Sequence, residues 1–280
     1  MTDGAVISMV VRIVRFFCLK QGIHAFFLHF MASAVAVSRA FCKFAAKFNS
    51  MMNLHEAIAA RRSVRRYLNK SLPTDVVDAL KQKIEEVNIE GNLHVQLILD
   101  EPKAFKGVFA YGKFSNVTNY LVVCGTKAPD LDERVGYYGE KLVLLAQQLG
   151  LNTCWVGLSY HKVPGTYVLE ADEKVACYIA LGYGENQGAE HKRKSLEQIS
   201  NISANTPEWF RKGIEAVRLA PTAVNQQKFY FEYLGVENGR ALVRAKRLFS
   251  IIGYTQMDLG IARLHFEIGA GSENFEWAES

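Results

Sequence analysis

The stretch Gly139-Glu140-Lys141-Leu142-Val143-Leu144-Leu145-Ala146-Gln147-Gln148-Leu149-Gly150-Leu151-Asn152-Thr153-Cys154-Trp155-Val156-Gly157 decides the fold. Its first part reads as a helix that is apolar on most of its surface, through Leu142, Val143, Leu144, Leu145, Ala146 and Leu149. Such a helix belongs in the middle of a protein, because no side of it is content in water. Gly150 stands where a helix C-terminus favours a left-handed residue. Thr153–Gly157 then reads as a short strand. A central helix delivered straight into a strand predicts one core shared by both kinds of element.

The same reading extends outward. Leu54–Arg61 is a short helix with Leu54, Ala57 and Ile58 on one face. Pro73-Thr74 opens a second helix, and Val76, Leu80, Ile84 and Val87 mark its buried stripe. Leu93–Leu97, Tyr120–Cys124 and Val175–Leu181 read as strands. Toward the C-terminus, Pro207 starts a helix carrying Phe210, Ile214 and Val217. Phe229–Tyr233 and Arg240–Ala245 read as strands, Gln256–Leu264 as a helix and His265–Ile268 as a closing strand. Helices and strands mix without strict alternation, which predicts an α+β, three-layer α/β/α sandwich. Helix 75–87 with strand 93–99 parallels helix 207–219 with strand 228–234, and helix 139–149 with strand 153–157 parallels 256–264 with 265–268. This predicts an internal pseudo-repeat, with halves of about 52–200 and 201–280. No Pro/Gly/Ser-rich linker divides them, so they share a core.

Composition narrows the function classes. The 280-residue chain is 49% hydrophobic and 22% charged, as in an ordinary globular protein. Its formal charge of +5 comes from one end: residues 1–50 hold six Lys/Arg and only Asp3, leaving 27 basic and 27 acidic residues in 51–280. A neutral body does not make a sheath for nucleic acid. Five cysteines (Cys18, Cys42, Cys124, Cys154 and Cys177) include no Cys-x-x-Cys pair and read as free thiols of a reducing, cytoplasmic compartment. No metal site is expected: the histidines are scattered, and His55-Glu56 lacks the second His of a zincin helix. Residues 1–50 stand apart from the domain 51–280 and admit three readings: a mis-started extension ahead of Met51 or Met52, a signal or membrane-associating leader, or an integral packed segment.

Two short segments carry the chemistry: Arg61-Arg62-Ser63-Val64-Arg65, and Pro221-Thr222-Ala223-Val224-Asn225-Gln226. Taken alone, the first also fits a solvated basic helix end and the second an ordinary helix-to-strand loop. With the segment 139–157, and with Leu181-Gly182-Tyr183-Gly184 followed by His191-Lys192-Arg193-Lys194, they resemble the nitroreductase family of FMN flavoproteins from about Met52 to the C-terminus. The similarity is greatest to the subgroup in which one chain has a tandem, dimer-like arrangement.

The resemblance implies a set of expectations. In the family, FMN lies at a homodimer interface, with the Arg-rich segment from one subunit and a Pro-Ser-x-x-Asn segment from the other. In this chain Ile89-Glu90-Gly91-Asn92, after the first long helix, has lost the second motif, which occurs only at Pro221. One FMN per chain is therefore expected, clamped by the first half and walled by the second. Arg61, Arg62 and Ser63 would grip the phosphate and ribityl chain, with Lys192 and Arg193 approaching from the same side; planar guanidiniums suit a phosphate dianion. Arg65 would lie by the pyrimidine edge, and a cation there stabilises negative charge on the reduced ring. Gly157 and Leu158 would bring backbone amides near the flavin N5. Pro221, Thr222, Ala223 and Asn225 would form the opposite wall. Thr222 replaces the usual Ser, and Lys228 stands near the place of a frequent Pro-Trp. The implied activity is an FMN-dependent oxidoreductase, with NAD(P)H as donor and a nitroaromatic, quinone or similar small molecule as acceptor. No catalytic side chain is expected, since the flavin carries the chemistry. The alternatives are a flavin-binding or storage protein without turnover, and a membrane-associated structural protein anchored by residues 1–50. A monomer suffices for a tandem chain, and a homodimer remains compatible with it.

Overall fold

The computed structural model describes residues 52–106 and 114–278, all within the compact unit Met52–Ser280. The readings made for residues 1–50, including Cys18 and Cys42, lie outside the described residues. The helices are α1 (Leu54–Ala60), α2 (Thr74–Gly91), α3 (Leu131–Gln148), α4 (Leu196–Ile199), α5 (Glu208–Val217) and α6 (Thr255–Ala270). The strands are β1 (His94–Ile98), β2 (Asn119–Thr126), β3 (Asn152–Val156), β4 (Glu173–Gly182), β5 (Phe229–Glu237), β6 (Arg240–Arg247) and β7 (Glu276–Trp277). Among the described residues, no helix is long and apolar enough to cross a membrane.

The strands form two sheets. One runs β1-β2-β4-β3 with every pair antiparallel. The other runs β5-β6-β7, with β5 and β6 antiparallel and β7 parallel to β6. In the first sheet, alternate side chains take opposite faces. Leu121, Val123, Ile179 and Leu181 meet the stripe Val76, Leu80, Ile84 and Val87 of α2 and Leu142 and Val143 of α3. Tyr120, Val122, Tyr178 and Ala180 pack on the other face with Phe105 and Val117 from connecting segments. Burial on both faces explains the unbroken apolar run of β2. The second sheet packs Phe229, Phe231 and Val243 against Phe210, Ile214 and Val217 of α5 and Phe266 of α6.

Helices α3 and α6 join the two cores at a close crossing. A Cβ on Gly136 would lie 2.0 Å from the Met257 carbonyl oxygen, and one on Gly260 would lie 2.0 Å from that of Glu133. The crossing is reciprocal: Gly136 also meets Ile261, and Gly260 meets Tyr137. The protein is α+β, as expected, with helices packed against each of its two sheets.

Two features differ from the sequence reading. His265–Ile268 is not a strand but the last turns of α6, and the closing strand is Glu276–Trp277. Four residues are too few to distinguish period 2 from period 3.6. Here both His265 and Phe266 are buried because α6 is enclosed on nearly every side. Similarly, α3 begins at Leu131, eight residues before the apolar run, because Leu131, Val135 and Gly136 already face the core.

Candidate functional site

The first motif begins where α1 ends. Arg61 leaves the helix in an extended conformation (φ −57°, ψ 129°). The chain then runs beside β3: Ser63 bridges Thr153 in parallel, and the Val64 N–H donates to the Thr153 carbonyl at 2.9 Å. Extended geometry alternates the side chains, so Val64 is buried while Arg65 is exposed. Arg61 is only 2% exposed. Its Nη2 reaches the Leu219 carbonyl at 3.5 Å, a long contact that joins the first motif to the end of α5 across 158 residues.

The second motif is held under strain. Val224, Asn225 and Gln227 have φ of 45°, 58° and 46°. A β-branched residue in the left-handed region is a genuine outlier, and such outliers gather at functional sites. Side chains hold the turn in this shape. Thr222 Oγ1 accepts from the Gln227 N–H at 3.1 Å. Asp258, near the start of α6, accepts from the Ala223 N–H at 2.9 Å and from Gln226 Nε2 at 2.7 Å. Asn225 Nδ2 and Gln227 Nε2 donate to the Lys192 carbonyl at 2.8 and 2.9 Å. The structure thus brings together the segments around 61, 192 and 222. Lys192 takes part through its backbone, and its side chain is exposed.

Cations converge here. Glu190, 69% exposed, binds Arg62 Nη2 at 2.7 Å and lies 3.5 Å from Arg193 Nη2. Two guanidiniums therefore meet at one carboxylate-sized position. Arg61 Nε and Arg193 Nε are buried without hydrogen-bond partners. The His191 imidazole is lowered from its usual pKa, first by burial and then by Arg61, Arg193 and Arg62, against the raising effect of its bond to the Arg218 carbonyl. Unsatisfied guanidinium nitrogens beside an exchangeable surface carboxylate fit an anion such as a phosphate.

Behind Arg61 lies a polar network that the motif reading missed. Arg61 Nε stands 3.8 Å from Glu140 Oε1, and both side chains are almost wholly buried. Glu140 also accepts from Trp155 Nε1 at 2.9 Å and faces His265 Nε2 at 3.0 Å. His265 Nδ1 meets the Ala216 carbonyl at 3.1 Å. His265 thus bridges the end of α5 to the buried carboxylate of α3 through its two ring nitrogens. A lone carboxylate in the apolar run 139–149 was the available signal for this network.

Gly157 and Leu158 sit at the end of β3. A Cβ on Gly157 would fall 2.6 Å from the Tyr254 ring, so any larger residue there would have to push that ring aside. Leu158 is 81% exposed. Tyr254 also borders a cavity of about 420 Å³, together with Arg247, Phe249, Ser250 and Thr255. Gln226 Nε2 ties this wall to the strained turn by donating to the Gly253 carbonyl at 2.9 Å.

Two sheets packed against helices, with Arg62 and Arg193 meeting at Glu190 beside the turn held at Lys192, define an α+β protein. Residues 53–270 match the family model described as "Putative TM nitroreductase", and the chain belongs to that family. Among solved structures it is similar to a "putative nitroreductase" from Thermotoga maritima MSB8, at 24% identity over 82% of this chain and 90% of that one, with a TM-score of 0.54. It is also similar to a nitroreductase solved in complex with FMN from Desulfovibrio desulfuricans, at 16% identity over 56% of this chain and 100% of that one, with a TM-score of 0.45. A nitroreductase family protein from Clostridium difficile 630 is 18% identical over 56% of this chain and 100% of that one, with a TM-score of 0.42. No curated protein matches the chain.

Proposed function

We propose that the protein binds one FMN per chain and acts as an NAD(P)H-dependent oxidoreductase on a small acceptor such as a nitroaromatic or a quinone. The observation that carries this reading is the convergence of Arg62 and Arg193 on one anion-sized position, with the Arg193 Nε unpartnered. Arg62 and Arg193 would hold the phosphate in place of Glu190. Arg61 supports them from within, its charge balanced by Glu140. Arg65 is exposed and would meet the ring, while Ser63 is half-buried beside Cys154 and would meet the ribityl chain by turning its hydroxyl outward. Leu158 is exposed at the end of β3, and Gly157 lies under the Tyr254 ring, which would have to move for the backbone to meet the flavin. Pro221, Thr222, Ala223 and Asn225 form the opposing turn, although the Asn225 amide is engaged with Lys192 and Gln227. The chemistry supplied by bound FMN is the passage of reducing equivalents from the nicotinamide donor to the acceptor.

A single site per chain is supported by the contact of Arg61 with Leu219, which joins the two motifs within one molecule. The reciprocal crossing of α3 and α6 is consistent with a dimer-like interface inside one chain. A monomer then suffices, and a homodimer is compatible.

The test is a visible spectrum of the full chain with flavin stoichiometry, followed by anaerobic addition of NADPH or NADH. About one FMN per chain, bleached by either donor, is the expected result. Bound FMN that stays oxidised would move the protein to flavin binding or storage. A colourless protein that FMN cannot reconstitute would overturn the reading.

A further inference from the structure

We infer that Asp258 is a positioning residue of this site: its one buried carboxylate ties the strained Val224–Asn225 turn, through Gln226, to the wall of the adjoining cavity, so that protonation breaks the tie between them. The inference rests on the FMN-site reading above.

Asp258 is 3% exposed and lies in the first turn of α6. Its Oδ1 takes the Ala223 N–H, immediately before the residue whose backbone is most strained for its type. Its Oδ2 takes Gln226 Nε2, and that same nitrogen donates to the Gly253 carbonyl. The Gln226 amide cannot be reversed without setting its oxygen against both Oδ2 and the Gly253 carbonyl. Its Oε1 is buried without a hydrogen-bond partner, which indicates that the donor side is what the site uses. Two pieces of backbone, at Ala223 and at Gly253, thus depend on one carboxylate.

Both carboxylate oxygens face N–H donors. A protonated carboxyl turns one oxygen into a donor, so one of these bonds must be given up. The charged groups of the neighbouring elements are engaged elsewhere. On α3, Asp132 pairs with Lys174, Glu133 with Arg263, and Glu140 with His265 and Arg61. On α6 itself Arg263 takes Glu133, and in the segment before α4 Lys194 donates to the Gln227 carbonyl. Among the described residues no ion pair involves Asp258. Burial pushes its carboxyl up to about 6, against the two N–H donors that pull it down. The carboxylate that holds the turn is therefore present at neutral pH and lost as pH falls through about 6.

The experiment measures FMN affinity of the full chain from pH 7.5 to 5, for wild type and Asp258→Asn. The phosphate of FMN itself gains a proton near pH 6, so the comparison between proteins, not the wild-type slope alone, is informative. We expect Asp258→Asn to bind about tenfold more weakly at pH 7.5, and wild type to lose about tenfold more affinity than the variant on going to pH 5. Riboflavin, which lacks the phosphate, should show the same difference between the two proteins. In the cofactor-free protein, exchange protection of the Ala223 amide or of the Gln226 side-chain amide, corrected for intrinsic rate, should fall below pH 6 in wild type and be low throughout in the variant. Parallel affinity profiles from the two proteins, or protection of both amides indifferent to pH, would overturn the inference. Wild type without flavin affinity at any pH would remove the FMN reading first and this inference with it.

Discussion

At the scale of single residues, the site is a set of charges whose partners decide what each can do. Arg62 and Arg193 share an exposed carboxylate, which water can replace at little cost. Arg62→Ala or Arg193→Ala should each weaken FMN binding about tenfold or more, the scale of one charge-assisted bond, and leave riboflavin binding nearly unchanged. Fluorescence titration with both flavins separates the outcomes, and equal losses for both would exclude a phosphate contact. Glu140 is the opposite case, a buried carboxylate facing Arg61, Trp155 and His265. Removing it strands a guanidinium and an imidazole in the core. Glu140→Ala should therefore cost about 3–5 kcal/mol of stability in urea unfolding. Val224 holds φ 45° in the strained turn. Val224→Gly should raise the stability of the cofactor-free protein by about 0.5–1 kcal/mol, the relief of left-handed strain less the added freedom of the unfolded chain. A lower Tm would show that the Val224 side chain contributes more than its backbone costs. The basic cluster and the Thr-x-x-Asn turn were legible as residue types. Asp258 and His265 were not, because a polar residue on an apolar helix acquires meaning only from what it faces.

Among the elements, α3 and α6 govern the architecture. Their glycines allow backbone to touch backbone: at Gly260 an added Cβ would lie 2.0 Å from the Glu133 carbonyl oxygen and 2.8 Å from the Tyr137 nitrogen. Backbone cannot swing aside as a side chain can. Gly260→Ala should cost at least about 3 kcal/mol, and Gly136→Ala a similar amount, read as a loss of Tm. A tolerated alanine at either position would mean that the helices do not cross so closely. The stripe of α2 and the apolar face of α5 were legible from their spacing, because each has one wet side and one dry side. The ends of α3 and α6 were not. Both helices are enclosed, so polar residues such as Glu140 and Asp258 lie inside them and no periodicity marks where they begin or stop. The expected strand at His265–Ile268 failed for the same reason.

For the molecule as a whole, the two cores meet at the α3–α6 crossing and Trp155 packs against both. Residues 52–278 should therefore unfold in one cooperative step, with fluorescence and circular dichroism transitions superimposed. Two separate transitions would mean that the halves are independent domains. The sequence by itself determined the α+β class, the buried stripes and the residue types of the basic cluster and the turn, since these follow from local periodicity and side-chain chemistry. Only the tertiary structure decided that Arg61 turns inward to Glu140, that Asp258 holds the turn, and that Arg62 and Arg193 share one anion position. Those pairings depend on distances between residues far apart in the chain, which are set by how the helices and sheets close on one another.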